Sequence, residues 1–194
     1  MKLPGAGWAG WTPGASIRTV AERLGEDLAI GDEARRAVRA SIESINSDSR
    51  RKGDFILQNA VWVPDPSTGA VAAVLDATVR STPGGSSAPA RYLARNIRRD
   101  FGWTTRIVEY VASESRVPAG RMTAEHTIVR PFGERQVQGY LFLRVFPPGA
   151  GEAFSLLLNT VHLDLLTELA RQGRMMAESL QLTLGHIPGG RPPA

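Results

Sequence analysis

The residues with the most obvious chemical potential are a run of glycines near the start of the chain. The stretch Gly5–Gly10 reads GAGWAG and matches the G-x-G-x-x-G pattern of dinucleotide-binding loops. That pattern binds a pyrophosphate only when a strand precedes it, a helix begins within it and an acidic residue follows about twenty positions later. Only four residues precede Gly5, and the bulky Trp8 would crowd the phosphates. The match is therefore predicted to be incidental, and no cofactor is expected.

The histidines offer acid–base or metal chemistry only where other ionisable groups join them. His126 follows Glu125, but neighbouring side chains of a strand point to opposite faces, so these two are predicted not to meet. His162 precedes Asp164 and Glu168 where a strand gives way to a helix, and Asp164 is interpreted as a helix N-cap. The chain has no cysteine and no HExxH, G-x-S-x-G or P-loop pattern. We therefore assign no catalytic, metal-binding or cofactor-binding residue.

The strongest candidate for a binding surface is an arginine-rich helix predicted over residues 90–101. Four of its arginines fall on one broad helical face, with a tyrosine beside them. These candidate partner-binding residues are Arg91, Tyr92, Arg95, Arg98 and Arg99. Such a face is typical of a solvated surface, and it also suits docking of an acidic partner or a phosphate group. Both interpretations remain open at the level of sequence.

Composition narrows the class of protein further. The 194 residues carry a formal net charge of +4. The sequence has no run of 18 apolar residues, which a membrane-spanning helix would need. Only Lys2 and Lys52 of the 23 basic residues are lysines, and basic and acidic residues are interspersed along the chain. This pattern argues against a nucleic-acid-binding protein. Since Pro4, Gly5 and Gly7 interrupt any apolar stretch at the start, no secretory signal is predicted and a cytoplasmic location is expected.

The spacing of apolar residues predicts the elements that hold these residues in place. Helical spacing occurs over 16–28, 32–52, 90–101 and 164–178, and alternating spacing over 54–63, 70–81, 104–117, 121–131, 136–146 and 153–161. Short turns between the later strands predict an antiparallel sheet. Because 136–146 is apolar on both faces, we expect cover on both sides. The predicted fold class is α+β, a three-layer α/β/α sandwich around a mainly antiparallel sheet of about six strands.

The distribution of glycine and proline along the chain predicts one domain. It is expected to cover residues 16–187, between a flexible N-terminal segment, 1–15, and a disordered tail, 188–194, because both ends are rich in glycine and proline.

Several segments resemble the PsbP-like family, whose fold is shared by the photosystem oxygen-evolving subunit and the Mog nuclear-import factor. The Trp11–Gly14 segment (WTPG) is similar to the family's Pro-Gly-Trp entry, with the order changed, and residues 119–126 (AGRMTAEH) resemble its glycine-led strand. Residues 136–146 with 154–159 resemble its alternating hairpin, and 165–182 its closing helix. The chain is thus similar to a small actinobacterial version of the family. The resemblance implies a non-catalytic role in binding and assembly, with no catalytic residues to carry over.

Two function classes follow from these observations. The first is a non-enzymatic binding or accessory protein that acts through protein–protein contacts, for example in a secretion or envelope-associated system. The alternative is a small-ligand carrier or an enzyme with a pocket between the sheet and the helices. A homodimer is a further hypothesis, since Leu156–Leu158, Trp8 and Trp11 are apolar residues in excess of what a core was expected to need.

Overall fold

The computed structural model describes residues 3–4, 7–13, 15–16, 19–20, 22, 26, 31–52, 56–82, 87–94, 101–102 and 104–181, with the main chain alone over 46–52. Within these residues the chain forms an α+β fold with seven strands and three helices. In chain order the elements are β1 (Trp8–Trp11), α1 (Asp32–Lys52), β2 (Ile56–Trp62), β3 (Ala73–Ser81), α2 (Ala88–Ala94), β4 (Thr105–Val117), β5 (Gly120–Pro131), β6 (Gln138–Phe146), β7 (Glu152–Thr160) and α3 (Leu166–Glu178), the last preceded by a 3-10 turn, Leu163–Leu165.

The strands form one open antiparallel sheet in the order β1-β2-β3-β7-β6-β5-β4. The predicted antiparallel sheet is thus confirmed. Strands β4 to β7 follow one another as a meander. Two long connections contain helices: the one from β1 to its neighbour β2 contains α1, and the one from β3 to β4 at the far edge contains α2. β1 and β4 are therefore the two edges of the sheet among the described residues.

The sheet has seven strands where the sequence predicted about six. The additional strand is β1, which lies in the segment 1–15 that its glycine content had placed outside the domain. Two of its residues, Trp8 and Trp11, are buried, and the Trp8 ring stacks on that of Trp62 at 6.1 Å. β1 pairs with β2 because these tryptophans remove a large apolar surface from water, which outweighs the poor strand propensity of the flanking glycines.

Two buried clusters connect the sheet to the helices. One contains Trp62 of β2 with Leu169 of α3, and the other contains Val61 of β2 with Val38 and Ile42 of α1. Consecutive residues of β2 thus contact different helices, as the alternation of side chains along a strand requires. The predicted helix over 32–52 is confirmed as α1, with Asp32 and Glu33 in its first turn. The helix predicted over 16–28 and the tail 188–194 lie largely or entirely outside the described residues.

Four of the five apolar residues that suggested a homodimer belong to the core of a single chain, and the fifth, Leu157, is half-buried. Leu156 and Leu158 of β7 are 1% and 0% exposed, and Trp8 and Trp11 are buried in the two clusters. They cannot form a surface between two copies without unfolding the sheet. The homodimer remains a prediction, now without support from these residues.

Candidate functional site

The predicted arginine face is described in part. Arg91 and Tyr92 lie on α2, whereas Arg95, Arg98 and Arg99 lie outside the described residues. Arg91 is exposed, and Tyr92 is half-buried with its ring 5.5 Å from that of Phe146. The tyrosine that was predicted to flank the arginines therefore holds α2 against the sheet.

Beneath α2 lies a buried ion pair that sequence reasoning did not find. Arg144 of β6 donates through Nη1 to Oε1 of Glu125 on β5, and the Glu125 residue has no exposed surface. The Tyr110 hydroxyl donates to the other carboxylate oxygen at 3.2 Å. The guanidinium lies 4.9 Å from the ring centre of Tyr92 and 5.0 Å from that of Phe142. We refer to these five residues as the Arg144 cluster.

The Arg144 cluster is built for rigidity more than for reaction. Both carboxylate oxygens of Glu125 accept hydrogen bonds, and a charge-assisted bond holds the anion in place. The two aromatic faces compensate the guanidinium for part of its lost hydration. A buried carboxylate whose two oxygens both bind neighbouring side chains is held in one position. The cluster fixes β5, β6 and α2 relative to one another.

Glu125 and His126 point to opposite faces, as the sequence predicted. Glu125 is paired in register with Phe142 of β6. His126 is paired with Leu141, which belongs to the buried cluster that also contains Leu169 of α3. The Nε2 atom of His126 is buried and has no hydrogen-bond partner among the residues that the structure describes. The two side chains therefore cannot act together as an acid–base pair, and this expectation is confirmed.

Asp164 and Glu168, the acidic residues that follow His162, also occupy structural positions. Asp164 lies inside the 3-10 turn and is not an N-cap, because the chain enters α3 through Leu165 without a side-chain cap. Glu168 accepts hydrogen bonds from Arg171 at 2.8 and 2.6 Å and from Gln172 at 2.8 Å. These bonds, that from Arg171 foremost, lower the pKa of Glu168 to about 2. Within the described ranges, no three His, Asp or Glu residues converge as metal ligands.

An open groove of about 460 Å³ lies beside β1. Its lining includes Gly10 and Trp11 of the strand, Gln58 of β2, and the hydroxyl residues Thr12, Ser16 and Thr19. It is separated from β5, the strand of His126, by almost the whole width of the sheet. The groove contains hydrogen-bonding groups and one large aromatic ring, a combination that suits a small polar ligand or an extended chain.

The opposite edge of the sheet carries a different surface. β4 has thirteen residues, most of them exposed on both faces. Two of its valines, Val108 and Val111, are 53% and 54% exposed, and Phe132 in the turn after β5 is 67% exposed. Large apolar side chains with this exposure, next to a strand edge that no described residue pairs, are typical of an interaction surface. We call Val108, Val111, Phe132 and the free edge of β4 the β4 surface.

Comparison with known proteins adds no family to this description. No family model matches the chain, and no curated protein matches it. Among the described residues, no helix is both long enough and apolar enough to cross a membrane.

Proposed function

We propose that this protein is a non-enzymatic binding or accessory protein that acts through protein–protein contacts at the β4 surface. The observation that carries the proposal is the exposure of Val108 and Val111 on a thirteen-residue edge strand. Along such an edge, alternate backbone N–H and C=O groups point away from the sheet and are available to a further strand. A partner that adds a strand satisfies these groups and covers the valines in one step.

The charges of β4 favour a selective partner over indiscriminate association. Arg106, Glu109, Glu114 and Arg116 lie around the uncharged centre, residues 110–113. Charged residues on an edge strand discourage pairing with arbitrary chains, because most partners would bury them without compensation. A partner with matching charges avoids that cost, so the same residues select for it.

The arginine face is proposed as a second contact for the same partner. Tyr92 packs on Phe146 and Arg144, which fixes α2 and leaves Arg91 exposed on it. Arg91→Glu with Arg95→Glu is expected to reduce partner binding through the association rate and the salt dependence, with the free energy of unfolding changed by about 0.5 kcal/mol or less. Unchanged association rates at low salt would leave this helix as a solvated face.

The proposal also includes the arrangement of the layers and the cellular role of the protein. The contacts of α1 and α3 with consecutive residues of β2 support a three-layer α/β/α arrangement. That arrangement agrees with the PsbP-like resemblance, whose members act as binding and assembly factors. A cytoplasmic protein that serves a secretion or envelope-associated system is the role we propose on this basis.

Site-specific photo-crosslinking in host cells tests the proposal. A photoreactive phenylalanine analogue at Val111 should give a discrete adduct with a partner protein. The matched control is the same analogue at Met175, an apolar residue of α3 that is 44% exposed. Adducts that are the same at both positions, or absent from both, would contradict a docking role for the β4 surface.

The groove beside β1 favours a second candidate, a small-ligand carrier or an enzyme that uses this groove. Its hydroxyl groups and the Gln58 amide offer several hydrogen bonds to a polar ligand. A small molecule that raises the melting temperature of the wild type, and not that of Thr19→Trp, would support this candidate. Substitution at Thr19 fills the groove and leaves the β4 surface unchanged, so the two candidates respond to different variants.

A further inference from the structure

Two arginines oppose each other directly at one end of the β4 surface. Arg106 of β4 and Arg130 of β5 are partners in the antiparallel register, and both are exposed. Side chains at directly opposed positions project from the same face with Cβ atoms about 5 Å apart, so like charges there repel each other. Within the part of the chain that the structure describes, neither arginine has an ion pair or a side-chain hydrogen bond.

The other end of the same hairpin shows how such a pair is neutralised. Arg116 and Arg121 also oppose each other, but Glu114 binds Arg121 there, with Nη2 and Nε of the arginine at 2.6 and 2.7 Å from Oε1. At the first end the acids nearest in sequence, Glu109 and Glu134, form no ion pair among the described residues. The two ends thus have the same arrangement of opposed arginines, and among the described residues only one end has a carboxylate that binds one of them.

The neighbours of Arg106 and Arg130 are those of a peptide-binding edge. Phe132 follows Arg130 by two residues and donates its backbone N–H to the carbonyl of Thr104 at 2.8 Å, which keeps the turn beside β4. Val108 lies on the other side of Arg106, where it interrupts the register between Ile107 and Glu109. A pair of cations that no described carboxylate neutralises therefore lies between two exposed apolar side chains, at a sheet edge that no described strand pairs.

We propose that Arg106 and Arg130 bind a carboxylate of an extended, acidic segment of a partner protein, which pairs with β4 as an added strand. This inference rests on the proposed function and names the chemistry of the partner. Charge complementarity carries it, because a glutamate or aspartate over the pair would supply the anion that Glu114 supplies at the other end. Two guanidinium groups also suit a carboxylate by geometry, since each can donate two parallel hydrogen bonds.

Fluorescence anisotropy with two labelled peptides tests the inference on the full chain. One peptide alternates valine with glutamate, and the other has glutamine in place of every glutamate. We expect the glutamate peptide to bind about fivefold more tightly at low salt, as exposed ion pairs allow, and the preference to shrink as sodium chloride is raised. The double variant Arg106→Gln with Arg130→Gln should bind the two peptides equally well.

The matched variants separate this site from charge in general. Arg116→Gln removes a cation from the same strand and should keep the preference for glutamate. Glu109→Gln removes the nearest competing carboxylate and should strengthen binding of the glutamate peptide about twofold. Circular dichroism and the urea midpoint establish that each variant is folded before binding is compared.

Several results would overturn the inference. They are equal binding of both peptides to the wild type, no binding of either, and a preference that survives in the double variant. Equal binding that Val111→Asp abolishes would retain the β4 surface as a docking site and refute only its preference for acids. Displacement of the peptide by a single-stranded oligonucleotide at matched charge, with the same dependence on both arginines, would reassign the pair to phosphate.

Discussion

Arg144 and Glu125 form an ion pair between adjacent strands in which the carboxylate side chain is wholly buried and the guanidinium lies between two aromatic rings. Removal of two charges from water costs several kcal/mol per ion, and the pair recovers this only when both partners are present. The ion pair therefore stabilises the pairing of β5 with β6, and it does so only while both charges are present.

Truncation of one partner should be far more harmful than replacement of both. Glu125→Ala removes the carboxylate that binds the buried Arg144 guanidinium, and we expect a loss of about 3–5 kcal/mol in the free energy of unfolding. Glu125→Leu combined with Arg144→Met removes both charges and keeps the volume, so it should be much closer to the wild type. Urea denaturation measures both. If the free energy of unfolding of Glu125→Ala lay within about 1 kcal/mol of the wild-type value, the ion pair would not have this stabilising role.

Much of the fold could be predicted from the sequence because its periodicity is strong. α1 begins with two acids and ends before a glycine, and β5 and β6 are long runs of strand-forming residues bounded by turn residues, so their types and approximate bounds were accessible. β1 was missed because its local sequence is that of a loop, and only the distant partner Trp62 makes Trp8 favour a strand. Such a contact joins residues far apart in the chain, which local patterns do not encode.

The Arg144 cluster was missed for a related reason. A lone arginine inside the otherwise apolar run of β6 was a visible signal that a buried partner must exist. Which acid provides it depends on the register between β5 and β6, where Arg144 opposes Thr123 and reaches Glu125 diagonally. The turn between the two strands sets that register through its backbone conformation. The opposed Arg106 and Arg130 depend in the same way on the register of β4 with β5.

The contact between Trp8 and Gln172 should anchor β1 to the rest of the fold. The indole N–H of Trp8 donates to the Gln172 side chain, which is buried on α3. Gln172→Ala leaves that N–H buried without an acceptor, which should cost about 1–3 kcal/mol. Arg174→Ala, at an exposed position of the same helix, should change the free energy of unfolding by about 0.5 kcal/mol or less. Equal urea midpoints for the two variants would contradict the anchoring role.

The stability of the protein towards acid should depend in part on Glu168. Its pKa falls from 4.5 to about 2 on folding because Arg171, and then Gln172, donate hydrogen bonds to the carboxylate. A group whose pKa is lower in the folded state stabilises it fully above the unfolded pKa, and this contribution disappears as the pH falls towards the folded value. Glu168→Gln should therefore flatten the decline in urea midpoint between about pH 4.5 and pH 2. Identical pH profiles for the two proteins would refute this assignment.

The first residue of β5, directly after the turn from β4, should tolerate only glycine, which is Gly120. Gly120 has a φ of +147°, and a Cβ atom there would lie 2.2 Å from the carbonyl oxygen of Phe146. Gly120→Ala should thus lower the free energy of unfolding by more than about 1 kcal/mol. The control is Gly149→Ala, whose φ is +75° but whose added Cβ would meet no atom within 4 Å. Urea unfolding should show the greater loss at Gly120, and the reverse order would contradict the close approach to β6.

The opposed arginines of the β4–β5 hairpin should reduce the stability of the unbound protein. Because Arg106 faces Arg130 across the register, Arg106→Gln removes a repulsion and is expected to raise the free energy of unfolding by about 0.2–1 kcal/mol. Arg130→Gln should do the same, and the double variant should gain less than the sum, since either change alone relieves the repulsion. The gain should shrink at high salt, because both groups are exposed and the ions screen them. Arg116→Gln is the control, since Glu114 already neutralises the opposing Arg121. Urea unfolding at low and high sodium chloride measures the free energy of unfolding of each variant. A loss of stability in both single variants would show that the arginines are held by attraction within the chain.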